Sequence, residues 1–475
     1  METINPTTGE RLQTFDAWSE QRVEAALTSA AAANPAWQAE SFTERAQLFR
    51  NAAAELRNNT AHYAGIITIE MGKIVREARA EIEKCAWGCE FYAEHAEAFL
   101  QDEIIQTDAS SSYVSYPPLG TVLAIMPWNF PFWQVFRFAA PSLMAGNTAL
   151  LKHASNVPQC ALAIEEIFHK AGFPKGIFQT LMISAAQAEI IIADPRIHAV
   201  TLTGSEAAGR KVAGAAGAAL KKTVLELGGS DAFIVLADAD LEQAVNVGIS
   251  SRFLNCGQSC IAAKRFILVE SIAEAFIEKL KHKAHALRMG DPAREDTQIG
   301  PMARADLRDQ LHKQVTDSIT AGATFALHGG PTAGPGFFYE PTVIDHVRSG
   351  MRAHEEELFG PVAVVIRARD EEDTVRIAND NRYGLGATVF TRDVKKGERL
   401  ARRIQSGSTF INGLVKSDPR LPFGGVKASG YGRELSVHGI REFVNVKTMW
   451  VKYQKKTAGV ARPFTRHEKS VRSGK

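Results

Sequence analysis

The sequence predicts an α/β protein with two domains, each built around a parallel sheet. Short apolar runs of strand length alternate with longer segments of helical periodicity, which is typical of parallel sheets covered by helices on both faces. The chain has 475 residues, enough for two or three domains, and its 45% hydrophobic and 23% charged residues are ordinary for a globular protein. A domain boundary is expected near Glu226–Asp231.

The elements follow in order along the chain. The first hundred residues are predicted to be largely helical, with Ala-rich periodic segments at Val23–Ala33 and Glu44–Leu56. The apolar runs predicted as buried strands are Thr121–Ile125, Thr148–Leu151, Ile177–Leu181, Ala199–Leu202 and Ala232–Leu236. The helices predicted between them are Pro158–Ala171, Ala185–Ala193 and Ala207–Leu220. A second series contains the helices Leu241–Arg252 and Ile272–Leu287 and the strand Val362–Ile366.

Composition limits the classes of function. The net charge of +2 gives no strong field, so neither nucleic acid nor a membrane is expected as a partner. The five cysteines show no metal-ligand spacing, which predicts free thiols, no metal site and a reducing compartment. Met1–Pro6 lacks the basic and apolar regions of a signal peptide, so the cytoplasm is the expected location. The basic tail Lys455–Lys475 is expected to be a solvated, poorly ordered end.

Two segments carry a candidate nucleophile and a candidate base. Asn255–Cys260 places a thiol at the end of a Gly-containing turn, and Glu226 precedes the pair Gly228-Gly229. A lone cysteine is more often an inert buried residue. A thiolate needs a nearby base or a lowered pKa to act as a nucleophile, and Glu226 is a candidate for that base.

Three further segments follow predicted strands, at the sheet edge where ligands bind. Met126–Pro131 holds Asn129 between two prolines, and a rigid side-chain amide can donate to an oxyanion. Lys152–Ser155 offers a cation and a hydroxyl for a ribose or its phosphate, and Thr203–Gly209 opens a helix whose N-terminus attracts a pyrophosphate. The chain lacks G-x-G-x-x-G, so a dinucleotide site here is a variant of that design. Each segment alone has an ordinary interpretation as a turn or a surface lysine.

Together, these segments resemble the aldehyde dehydrogenase superfamily from residue 4 to about residue 452. The motifs that carry the resemblance are Pro127–Asn129, Glu226–Gly229, Gly257–Cys260 and Glu357–Pro361. Within the superfamily the chain looks most similar to bacterial succinate-semialdehyde dehydrogenases. The segments that support this narrower resemblance are Trp133–Arg137, Lys152–Ser155 and Ser429–Glu434.

The resemblance implies a fold and an assembly. It implies a Rossmann-like dinucleotide-binding domain in residues 1–102 and 117–229 and a catalytic domain in residues 230–430. An oligomerisation arm and C-terminal tail, residues 103–116 and 431–475, are expected to build a homodimer or homotetramer.

The resemblance also implies roles for single residues. Cys260 is the nucleophile, the Asn129 amide and the Cys260 N–H hold the oxyanion, and Glu226 activates the water that hydrolyses the thioester. The implied cofactor, NAD or NADP, is bound by Trp128, Lys152, Ser155, Gly204, Ser205, Gly209, Glu357 and Phe359.

Two departures from the family pattern bear on specificity. Ser155 stands where NAD-preferring members often have Glu, so NADP is admitted and the preference stays open. Leu254 stands where long-form succinate-semialdehyde enzymes carry Arg. Arg137, and Arg420 as a second candidate, are therefore expected to bind the distal carboxylate of a small aldehyde.

Several alternatives stay open at this point. The chain is an acid-semialdehyde dehydrogenase, a general aldehyde dehydrogenase, a CoA-acylating enzyme or a non-catalytic protein on this fold. Glu226 argues against CoA acylation, and the intact set of Asn129, Glu226 and Cys260 argues against a non-catalytic role. Cys256 is either a packed residue or a resolving thiol for Cys260.

Overall fold

The computed structural model describes residues 1–453 and contains two large sheets. The first sheet has six strands, of which all but the short edge strand are parallel. In spatial order its strands are Gly430–Tyr431, Lys222–Glu226, Ile197–Thr203, Thr121–Met126, Thr148–His153 and Phe178–Thr180.

Helices cover both faces of the first sheet, as the alternation along its strands requires. Val122 and Ala124 point into one hydrophobic cluster, whereas Leu123 between them points into another. The helices on the first side are Phe42–Asn58, Thr60–Met71, Val75–Leu100, Trp133–Met144 and Pro158–Lys170. Those on the second side are Glu20–Ala39, Ala185–Ala193 and Glu206–Ala218.

The second sheet has seven strands and one antiparallel edge pair, with parallel pairing elsewhere. In spatial order its strands are Thr324–Leu327, Thr342–Asp345, Val362–Ala368, Ala263–Val269, Asp231–Val235, Gly386–Phe390 and Ser408–Ile411. The helices of this part of the chain are Leu241–Phe253, Glu270–His285, Ala305–Thr320, Arg352–Glu355, Glu371–Asn379 and Val394–Ala401.

A small three-stranded antiparallel sheet brings the C-terminal strand of the described chain against residues 103–115. Ser111–Ser115 pairs with Glu103–Ile104 on one side and with Lys447–Val451 on the other. The remaining short elements are the strand pairs Glu2–Ile4 with Arg11–Thr14 and Tyr383–Gly384 with Val426–Lys427, the helix Ser436–Ile440, and the 3-10 turns Leu254–Gly257 and Arg441–Phe443.

The predicted α/β fold is confirmed, and each predicted strand and helix overlaps an observed one. The division into domains stays a prediction. Gly430 pairs with Glu226, so the first sheet includes a strand from the far end of the segment assigned to the catalytic domain. The tail Lys455–Lys475 lies outside the described residues. No helix within residues 1–453 is both long and apolar enough to cross a membrane.

Candidate active site

The candidate site lies where the strands of the first sheet end. Thr121–Met126, Thr148–His153, Ile197–Thr203 and Lys222–Glu226 are parallel neighbours, so the residues that follow them share one edge. This topology places the segments that begin after Met126 and Thr203 beside Glu226. Their proximity in space could be predicted from the order of the strands alone.

Two cavities meet at Cys260. The larger has a volume of about 570 Å³ and the smaller a volume of about 120 Å³, and Cys260 and Gln134 line both. The predicted residues that line the larger cavity are Trp128, Asn129, Gly204, Ser205, Glu357 and Phe359. Side chains in the wall of the smaller cavity include Lys84, Trp133, Arg137, Ser417 and Phe423. The thiol is therefore accessible to two ligands at once.

The turn before Cys260 has an unusual backbone. Asn255, Cys256 and Gly257 have φ values of 53°, 53° and 70°, so three successive residues are left-handed. A Cβ added to Gly257 would lie 2.3 Å from the Gly360 carbonyl oxygen, and only glycine fits there. The Asn255 N–H donates to Glu77 over 2.8 Å, and its side-chain amide donates to the Asn129 carbonyl over 2.7 Å. These hydrogen bonds hold the strained turn in place.

Cys260 is half-buried and carries a free thiol. Burial raises the pKa of Cys260 to about 12, while the positive charges of Lys264 and Arg137 act in the opposite direction. Lys264 Nζ donates to the carbonyl oxygens of Ser259 and Cys260, each over 2.7 Å. The thiol must therefore lose its proton before it can attack a carbonyl carbon.

The Glu226 carboxyl group is buried, and within the described residues neither of its oxygens has a hydrogen-bond partner. Burial and the neighbouring Glu434 raise its pKa well above the usual range, and Arg137 opposes the shift. The residues found to line the two cavities do not include Glu226. Its role as the base thus stays a prediction.

Arg137 lines the smaller cavity, but its charge is already shared. Its Nε forms an ion pair with Glu434, and both side chains are buried. Its Nη2 donates to Thr203 Oγ1 over 3.3 Å, and the guanidinium lies 4.7 Å from the Phe423 ring centroid. Arg137 is therefore a partly neutralised cation.

Asn129 is held by a network that the sequence analysis did not identify. Its Nδ2 donates to the Gln258 carbonyl and its Oδ1 accepts from Gln134, each over 3.1 Å, which leaves a second N–H free to donate. The Asn129 carbonyl accepts from Lys73 over 2.9 Å. Lys73 is paired with buried Glu81, whose other oxygen accepts the N–H groups of Phe132 and Trp133. No local signal marks Lys73 or Glu81 as part of the site, because Asn129 and Phe132, which they contact there, lie more than fifty positions away.

The predicted cofactor residues in the larger cavity are held by short contacts. Glu357 Oε1 accepts from the Gly229 N–H and pairs with Lys264 Nζ, each over 3.1 Å. The Trp128 and Phe359 rings are perpendicular, with centroids 5.8 Å apart. Ser205 caps the helix Glu206–Ala218 by accepting from the Ala208 N–H. An open helix N-terminus beside two aromatic rings suits a phosphate-linked ring system.

Besides Glu226, four predicted residues do not line either cavity in the described part of the chain. Lys152 is half-buried at the carboxyl end of its strand, Ser155 is exposed, and Gly209 packs against Leu227. Arg420 points elsewhere: its guanidinium binds both oxygens of Asp418, over 2.9 and 2.7 Å, and its side chain is exposed. The geometry gives no support to Arg420 as a substrate anchor.

The cysteines divide as expected. Cys85, Cys89 and Cys160 are fully buried, which confirms them as core residues. Cys256 packs in the cluster around the second sheet, whereas Cys260 packs against the cluster of the first sheet. This separation favours packing over disulfide exchange as the role of Cys256.

The fold and the site define an oxidoreductase class in which a cysteine lies between a dinucleotide-sized cavity and a small substrate cavity. The chain belongs to the aldehyde dehydrogenase family, whose sequence profile matches residues 1–449.

Relatives and solved structures agree with this assignment. The chain is 52% identical to the Synechocystis sp. protein named "Probable succinate-semialdehyde dehydrogenase [NADP(+)]", over 94% of this chain and 99% of that one. It is 50% identical to succinate-semialdehyde dehydrogenase [NADP(+)] 1 of Mycobacterium bovis, with the same coverage. The structure of succinic semialdehyde dehydrogenase from Streptococcus pyogenes in complex with NADP+ matches with a TM-score of 0.93 at 38% identity, covering 95% of this chain and 100% of that one.

Proposed function

We propose that this enzyme oxidises succinate semialdehyde to succinate with NADP, and more weakly with NAD. The observation that supports this choice of substrate is the small cavity beside Cys260, whose wall contains the cations Lys84 and Arg137. A short aldehyde with a distal carboxylate fits a small cavity with positive charge and aromatic walls. The names of the relatives support the same substrate.

Covalent catalysis at Cys260 accounts for the reaction. The thiolate sulfur forms a bond to the aldehyde carbon, and the carbonyl electron pair moves to oxygen. The Asn129 amide and the Cys260 N–H then stabilise that oxyanion. As the C=O bond re-forms, the C–H bond of the former aldehyde carbon breaks and a thioester remains on Cys260; nicotinamide, when bound, would accept the hydride. Glu226 takes a proton from water, the hydroxide adds to the thioester, and the C–S bond breaks to release the carboxylate and the thiol.

The larger cavity and its surroundings fit a dinucleotide with a 2′-phosphate. Its lining includes Trp128, Gly204, Ser205, Glu357 and Phe359, which would hold the nicotinamide half and the pyrophosphate. Lys152 forms no ion pair with a carboxylate of the described residues, and burial lowers its pKa. A cation without an acidic partner among the described residues, three positions before the hydroxyl of Ser155, suits a phosphate dianion.

Two finer properties belong to the same proposal. We place the enzyme in the cytoplasm, which is supported by the five cysteines, all of them free thiols. We also propose a homodimer or homotetramer formed through the arm, residues 103–116 with 446–453.

Steady-state kinetics with succinic semialdehyde, glutaric semialdehyde and butanal, each with NADP and with NAD, test the function. The specificity constant kcat/KM is expected to be highest for succinic semialdehyde with NADP. Added CoA should leave the rate unchanged, because water and not a thiol resolves the thioester. If kcat/KM were higher for butanal than for succinic semialdehyde, the proposed specificity would be wrong and the protein would be a general aldehyde dehydrogenase.

Ser155→Glu tests the cofactor part separately. The carboxylate would face the 2′-phosphate, so kcat/KM for NADP should fall far more than that for NAD. Equal losses with both cofactors would show that Ser155 does not face the 2′ position.

A further inference from the structure

Lys84 is a cation in the wall of the small cavity that no described carboxylate neutralises. It extends from the helix Val75–Leu100 and lines the same cavity as Cys260. Its Nζ donates to Ser417 Oγ over 2.8 Å and lies 4.4 Å from the Trp133 ring centroid. The Trp133 indole N–H donates to the same Ser417 oxygen over 2.9 Å. The ammonium group of Lys84 therefore has a hydrogen-bond acceptor in Ser417, but its positive charge has no ion-pair partner among residues 1–453.

The other charges around the cavity show why the unpaired charge of Lys84 matters for ligand binding. Arg137, another cation in the wall, is buried and already paired with Glu434. Lys416 also lines the cavity, but it is exposed to solvent. Lys84, which is half-buried, is thus the positive charge of the wall that is neither paired nor fully exposed. Burying a cation without a counter-charge is costly, and an anionic ligand would remove that cost.

We propose that Lys84 is the specificity-determining residue that binds the distal carboxylate of the substrate, with Ser417 beside it. This inference rests on the proposed function and adds a residue that the sequence analysis did not single out. It also accounts for Leu254 in the wall of the same cavity, because a carboxylate bound by Lys84 does not need a cation at that position. Arg137 then has two roles: it stabilises the negative charge of the buried pair Glu226 and Glu434, and it contributes to substrate binding.

Lys84→Met tests the proposal, because methionine keeps most of the aliphatic stem over Trp133 and removes the charge. The measured quantity is the ratio of kcat/KM for succinic semialdehyde to kcat/KM for butanal. That ratio should fall by about tenfold or more, since a charge-assisted hydrogen bond is lost with only one of the two substrates. Lys416→Met, which removes an exposed lysine from the same cavity, is the matched control and should change the ratio by less than about twofold.

Two outcomes would overturn the role of Lys84. One is an unchanged ratio in a folded Lys84→Met protein. The other is an equal loss with both aldehydes, which would indicate a packing role. Lys84→Arg keeps the charge and should restore most of the ratio. If wild-type enzyme shows no preference for succinic semialdehyde, the proposed function itself fails, so the two failures are distinguishable.

A pH profile of the wild-type enzyme gives a test without any substitution. Burial and the charge of Arg137 lower the pKa of Lys84 to about 8, whereas Glu81, Cys85 and Asp418 act in the opposite direction. The specificity constant reports the free enzyme, so the ratio should fall between about pH 7 and about pH 9.5 as Lys84 loses its proton. Titration of Cys260 and Glu226 changes kcat/KM for both aldehydes by the same factor, so it does not change their ratio. A flat ratio over this range would contradict the proposal.

Discussion

At the scale of single residues, Glu226 combines a proposed role as a base with a buried carboxyl group. Its carboxyl group is buried beside Glu434 and Arg137, away from both cavities of the described structure. Two nearby carboxylates in a dry site cannot both ionise easily, and this repulsion adds to burial in raising the pKa of Glu226. A raised pKa makes Glu226 a stronger base once it is ionised, and deacylation should therefore speed up as pH rises toward that pKa.

Glu226→Gln should separate the two halves of the reaction. The amide fills the same space but cannot accept a proton, so acylation and hydride transfer proceed once and hydrolysis of the thioester stalls. Rapid mixing should show a burst of reduced cofactor of about one equivalent per Cys260, followed by a slow phase.

Cys260→Ala is the control for that experiment, since it removes the nucleophile and should abolish the burst while leaving cofactor binding nearly unchanged. Linear turnover of Glu226→Gln at the wild-type rate would exclude Glu226 as the base. Arg137→Ala is a poorer probe of substrate binding, because it also leaves the buried Glu434 without its ion pair.

At the scale of elements, one buried ion pair connects the helix Val75–Leu100 to the loop that carries Asn129. Lys73 and Glu81 are both buried; Lys73 donates to the Asn129 carbonyl, and Glu81 accepts the first N–H groups of the helix Trp133–Met144. The pair therefore sets where the oxyanion donor and the wall of the substrate cavity lie relative to each other.

Lys73→Met should damage stability and catalysis together. It leaves Glu81 buried and unpaired, which costs about 3–5 kcal/mol in the free energy of unfolding. Displacement of Asn129 should lower kcat for succinic semialdehyde and butanal alike, unlike the selective loss expected for Lys84→Met. Denaturant unfolding and kinetics with both aldehydes measure the two effects.

Lys170→Met provides the comparison, because Lys170 is exposed and pairs with the exposed Glu166 and the half-buried Glu55. It should change stability by less than about 1 kcal/mol. A Lys73→Met protein as stable and active as Lys170→Met would show that the buried pair does not position Asn129.

The local sequence pattern was enough to predict most helices and strands. It could not predict contacts between residues that lie far apart in the chain. The helix Ala185–Ala193 has the predicted bounds, because Ser184 caps it and its apolar residues recur at helical spacing. Cys260 and Asn129 could be identified because each stands in a motif of adjacent residues. Lys84 meets Ser417 only in the folded chain, more than three hundred positions away, and no local signal marks such a pair.

At the scale of the whole molecule, the arm presents apolar side chains to solvent in the single chain. Trp450, Val446 and Tyr453 on one strand segment and Ile104 on another are exposed, next to the free edges of the three-stranded sheet. Exposed edges with apolar neighbours are sites for pairing with another chain. A second copy of this chain is the partner that the proposed homo-oligomer requires.

Trp450→Asp should therefore weaken assembly. Trp450 is 51% exposed in the single chain, and a carboxylate there would be desolvated in an interface. Light scattering should show a dimer or tetramer for the wild-type protein and smaller species for the variant at equal concentration. Ile190→Asp is the control, since Ile190 is 74% exposed but lies on the helix Ala185–Ala193, outside the arm. Its mass should match the wild type. If Trp450→Asp leaves the mass unchanged, or if the wild-type chain is a monomer, the arm does not carry the assembly.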